Sequence, residues 1–159
     1  MSVTNAPTTT DLEFVISSVK FIIEKLHKLE EEMLNLEIEI ADLRTQVESN
    51  TKATMTAEFK QEVLSNLDKT LNGVKTYLSN LDKILDHNNE TLSMLIILEE
   101  LSALSRASEE GDSDKLEEFD NYFQTENKCI KEDLAVIDAG TKMVAAAKDY
   151  LNAVRKIYS

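Results

Sequence analysis

The stretch LEFVISSVKFIIEKLHKLEEEMLNLEIEIADLRTQV, residues 12–47, decides the fold. Within it Leu12, Val15, Val19, Ile22, Leu26, Leu29, Met33, Leu36, Ile40, Leu43 and Val47 recur at alternating steps of three and four, and every one is apolar. On a helix that spacing draws the a and d seam of a heptad repeat, a stripe that must pack against other helices. The seam changes width along its length. Ile16 and Ile23 extend its first half to the e positions, and Phe14 and Phe21 add apolar c positions. In the second half the e positions are Glu30, Glu37 and Arg44. A face wider than a and d alone fits a bundle of three or more helices.

Outward from this stretch, the sequence predicts two further long helices. The first helix spans about 10–48, with Thr10 and Glu13 spaced as a capping box. Residues 49–55, SNTKATM, form a polar break. A second helix spans about 56–105, with Thr56 as its N-cap. Its seam is Leu64, Leu67, Leu71, Val74, Leu78, Leu81, Leu85, Asn88, Leu92 and Leu95. After Leu95 the phase slips, and Met94, Ile97, Leu98, Leu101 and Leu104 carry the apolar face. Gly73 beside the seam leaves room for a neighbouring helix to approach. Residues 105–113 make the second turn, and a third helix spans about 113–158. Its apolar positions are Leu116, Phe119, Phe123, Ile130, Leu134, Ile137, Val144, Leu151, Val154 and Tyr158, with Glu126 interrupting the register.

With 3 Gly and 1 Pro in 159 residues the chain has few turn formers, so its elements must be long. Short connections between long helices make neighbours antiparallel. The expected fold is all-α: an elongated antiparallel three-helix bundle or coiled coil, one domain over 10–159 after a disordered tail at 1–9.

Composition also bounds function. The formal charge is -13, and acidic residues outnumber basic ones in each third: 10 against 4 in 1–49, 10 against 6 in 50–111, 10 against 7 in 112–159. A chain with no basic region is a poor partner for nucleic acid or an anionic membrane. The lone Cys129 forms no internal disulfide. The first residues lack the basic and apolar regions of a secretory signal. The apolar run 92–104 is too short and too charged to span a bilayer. The expected location is cytoplasmic, with the nucleus as the alternative.

Chemistry-bearing patterns are sparse. Glu24 and His27 have the Glu-x-x-His spacing of di-iron bundles, but that site needs two such motifs, and both residues fall on the outer f and b positions. His87 reads as a surface histidine and Cys129 as a half-buried thiol with no base nearby in sequence. Asp112-Ser113-Asp114 opens like a calcium loop but lacks the later ligands. Asn89-Glu90-Thr91 is a glycosylation triplet in a chain with no secretory signal. No catalytic residue, metal or cofactor is expected.

The polar exception is Asn88, at a d position. It either fixes register from inside the seam or marks a break in the helix. Excess apolar surface falls at Phe14, Ile16, Phe21 and Ile23, and at Leu95, Ile96, Ile97 and Leu98. These residues form the candidate partner surface. The acidic e and g residues Glu30, Glu32, Glu37 and Glu39 disfavour a parallel copy of the same chain and favour a different coiled-coil partner. The expectation is a non-enzymatic coiled-coil scaffold subunit of an intracellular complex of cytoskeletal, spindle, kinetochore or tethering type. The alternatives are a membrane-active or secreted helical bundle and a virus or phage structural protein.

Overall fold

A computed structural model describes residues 9–51, 56–107 and 113–158, with side chains for 12–51, 56–101 and 124–158. Three helices, α1 (Thr9–Ser49), α2 (Ala57–Ala107) and α3 (Ser113–Tyr158), make up this part of the chain, and they pack against one another as a bundle. Among the described residues only Asn50, Thr51 and Thr56 are not helical, and there is no strand. The tail over 1–8, the loop residues 52–55 and 108–112, and the side chains of Thr10, Asp11, Leu104, Leu116, Phe119 and Phe123 lie outside the described residues.

The start of α2 is set locally. The Thr56 hydroxyl accepts a hydrogen bond from the Phe59 amide at 3.1 Å, which satisfies one of the orphan donors of the first turn. Lys60, one turn in, donates from Nζ to the carbonyls of Glu48 at 2.7 Å and Asn50 at 3.1 Å. One ammonium therefore closes the carbonyl end of α1, where the helix dipole favours a cation. Serines and threonines inside the helices, such as Ser18, Thr45, Thr70 and Thr141, donate to the carbonyl four residues back, which keeps their hydroxyls satisfied without interrupting the helix.

The chain divides into two compact units, and each helix contributes to both. One unit combines Met1–Leu26 with Ile84–Val136; the other combines His27–Lys83 with Ile137–Ser159. In the first, Leu12, Val15, Ile16, Val19 and Leu95 form a buried cluster against which Ile23, Leu92 and Ile130 pack. In the second, the buried side chains include Leu29, Met33, Leu36, Ile40, Leu43 and Val47 of α1, Leu67, Val74 and Leu81 of α2, and Val144, Leu151 and Val154 of α3. At its margin the Arg44 guanidinium forks onto Asp68, with Nε 2.6 Å from Oδ1, and also reaches Glu48 at 3.1 Å. Arg155 of α3 lies 3.4 Å from Glu39 of α1.

The two mid-helix glycines differ in use. Gly73 has no neighbouring atom within 4 Å of a Cβ position, so the close approach expected there is absent. Gly140 makes that approach instead: a Cβ would meet Leu29 Cδ2 at 2.7 Å and Tyr77 Cε1 at 2.8 Å. Gly73→Ala should therefore stabilise the protein by about 1 kcal/mol through helix propensity alone. Gly140→Ala gains the same propensity, but overpacking a buried contact costs about 1–3 kcal/mol, so the net change should be a loss of up to about 2 kcal/mol. Urea unfolding of the two variants separates them by sign. Equal shifts would contradict the packing at Gly140.

Candidate functional site

All eleven α1 seam residues from Leu12 to Val47 are buried within the chain. The seam is thus covered by the chain's own α2 and α3, and it is not the exposed surface of the molecule. Glu30, Glu32, Glu37 and Glu39 are half-buried along its borders, and Glu39 is engaged by Arg155.

The first unit has polar groups where the heptad calls for apolar ones. Helix α2 is continuous through residue 88, so the break considered at Asn88 does not occur. Asn88 is 3% exposed. Its amide nitrogen donates to the Ile84 carbonyl at 2.8 Å and to Asp133 Oδ2 at 3.0 Å. Thr91, one position before Leu92, is buried beside it in sequence, and Glu126 of α3 is 6% exposed. Half-buried Cys129 and Asp133 belong to the same unit.

Burial disfavours the charged forms here. It pushes the Glu126 carboxyl above the usual carboxylate range; the positive charge of His87 opposes this and the negative charge of Asp133 adds to it. Burial also raises Asp133, while the hydrogen bond from Asn88 and the charge of His87 pull it back. The Cys129 thiol is pushed up by burial and then by Glu126, Asp133 and Glu132. A thiol held protonated is a poor nucleophile.

These shifts give a pH dependence of known sign. Folded Glu126 binds its proton more tightly than the unfolded residue, whose ordinary value is 4.5. The folded state therefore gains stability as pH falls from neutrality towards that value, and none further below it. Glu126→Gln should be more stable than wild type at neutral pH, with the advantage shrinking as the pH is lowered. Thermal unfolding across the range measures this. Parallel pH profiles for the two proteins would show that burial does not raise the Glu126 carboxyl in the folded state.

Residues set aside for chemistry are scattered. Glu24 and His27 are both exposed on α1. His87 is exposed on α2. Asp112 of the calcium-like triplet lies outside the described residues. Among the described residues no group of three His, Cys, Asp or Glu side chains is arranged to hold a metal ion. No helix there is long and apolar enough to cross a membrane.

The candidate partner surface splits. Ile16 and Leu95 are corrections: both are core residues of the first unit, packed in one cluster with Leu12, Val15 and Val19. Ile23 is half-buried against that cluster, and Leu98 is half-buried. Phe14, Phe21, Ile96 and Ile97 are exposed, Phe14 at 68%. The Lys25 ammonium sits 5.3 Å from the Phe21 ring centroid, a cation–π contact that covers part of that ring.

The phase slip expected after Leu95 is a second correction. Leu98 and Glu99 are half-buried, continuing the pattern of Thr91 and Leu92, while Met94, Ile97 and Leu101 face outward. On α3 the seam holds its register through Glu126, Ile130, Asp133, Ile137, Gly140, Val144, Ala147, Leu151, Val154 and Tyr158, all buried or half-buried, and Leu134 is exposed.

By its geometry this is an all-α protein of three packed helices. Comparison of the chain with protein-family models, curated proteins and solved structures found no match.

Proposed function

We propose that the protein is a non-enzymatic helical scaffold subunit that assembles with other helical proteins in an intracellular complex. The observation that carries this reading is the outward placement of Met94, Ile97 and Leu101 at 53–55% exposure, on a bundle whose own seam is already covered. Apolar side chains grouped on one face of a helix and left about half exposed are the signature of a docking face. In the same reading α2 runs back along α1 as an antiparallel coiled coil. Support comes from the Lys60 contacts to the end of α1 and the Arg44–Asp68 pair. The polar layer at Asn88 then acts as a register device: an apolar seam alone tolerates slipped pairings, whereas an Asn–Asp hydrogen bond is made in one register only.

Size-exclusion chromatography with light scattering tests the proposal, applied to tagged protein recovered from its native source. The expected result is a stoichiometric complex containing at least one further helical protein. A lone chain of 17.9 kDa with no companion would count against it.

A further inference from the structure

Met94, Ile97 and Leu101 follow the i, i+3, i+7 spacing of a helical stripe, and each is about half exposed. Ile96, 40% exposed, flanks them. The three occupy c and f positions of α2, pointing away from the side that carries Leu95 and Asn88. A stripe of this pattern accepts an amphipathic helix laid along it. Met at one end supplies an adaptable, polarisable contact.

The charge around the stripe selects the occupant. From Ile84 to Ser105 helix α2 contains no Lys or Arg, while Asp86, Glu90, Glu99 and Glu100 all fall in that interval. Asp86, Glu90 and Glu100 are exposed and Glu99 is half-buried. The stripe is thus bordered along its own helix by carboxylates, with His87 the one basic side chain in the interval. A second copy of this face would set acid against acid, and an anionic bilayer would be repelled in the same way. A helix with Lys or Arg beside its apolar positions would complement it on both counts.

We propose that the Met94–Leu101 face of α2 is the docking surface for an amphipathic helix whose apolar stripe is flanked by basic residues. This rests on the scaffold reading and names its partner's chemistry. The test is selection from a display library of amphipathic helices whose flanking positions carry Lys, Glu or Ser at random. The targets are the full chain and the exposed-site variant Met94→Gln/Ile97→Gln/Leu101→Gln, with unchanged thermal unfolding of the variant as the check on its fold.

Lys-flanked helices should be enriched on the wild type, should bind the variant more weakly on the order of a hundredfold, and should lose affinity as salt is raised. Enrichment of Glu- or Ser-flanked helices, or equal binding to the variant, would overturn the assignment. So would self-association, or binding to phosphatidylserine vesicles, that the triple substitution abolishes. If native companions are retained equally by wild type and variant, the scaffold reading stands and this face is not the site. If neither retains a companion, the scaffold reading itself fails.

Discussion

Leu36→Asp is expected to unfold the protein at neutral pH. Leu36 is 1% exposed in the α1 seam, in the unit that also buries Met33 and Ile40. The substitution removes a buried side chain, worth about 2–5 kcal/mol as a large-to-small change. It also places a carboxylate with no designed partner in the core, which costs several kcal/mol more unless the group takes up a proton. Typical domains have only about 5–15 kcal/mol in hand. Loss of the helical circular-dichroism signal should follow, with partial recovery in acid as the new carboxyl is neutralised. Leu34→Asp is the control. Leu34 lies two residues away but is 47% exposed, and its replacement should leave the helical signal close to wild type. A folded Leu36→Asp protein would mean that the seam is not the core.

The second large effect concerns the polar layer. Asn88→Ala removes the donor to Asp133 and leaves a half-buried carboxylate short of a partner, at a cost of about 1–3 kcal/mol. The loss should ease as pH falls. Burial already raises Asp133, and the missing hydrogen bond raises it further, so the folded state gains as that group protonates. Replacing both residues with leucine should act in the opposite direction. Asn88→Leu/Asp133→Leu removes the desolvation cost and should exceed wild type by about 1–4 kcal/mol, while populating more than one association state because the register device is gone. Urea unfolding gives the first quantity and sedimentation velocity the second. A double variant that is less stable than wild type would show that the pair contributes net stability and is not a specificity element.

Legibility in the sequence followed residue type closely. The α1 stripe could be read because all eleven of its positions are large and apolar. The α2 seam could be followed through Asn88 because nine apolar neighbours fixed the phase around it. Helix α3 was harder. Four of its inward positions are Glu126, Asp133, Gly140 and Ala147, none of them a large apolar residue. Leu134, which is large, points outward. The register was still recoverable by stepping four and three residues back from Val154 and Leu151. Beyond Leu95, apolar residues on almost every side erased the contrast that reveals a face. Only exposure separates Leu95, enclosed with Ile16, from Ile97 and Leu101 on the outside. The polar character of the first unit's interior was half legible: Asn88 stood out by phase, but Asp133 emerged only when α2 and α3 were brought together.

That division matters for function. The longest and most regular apolar pattern in the chain is used to build the bundle. A short irregular stripe on α2, hidden by its surroundings in the sequence, is part of the apolar surface left exposed.

The most direct test is the mass and composition of the complex recovered with the full chain and with Met94→Gln/Ile97→Gln/Leu101→Gln from the native source, read by light scattering. A stoichiometric helical companion is expected with the wild-type chain, and its loss is expected from the triple variant. A wild-type chain that elutes alone at 17.9 kDa would contradict it.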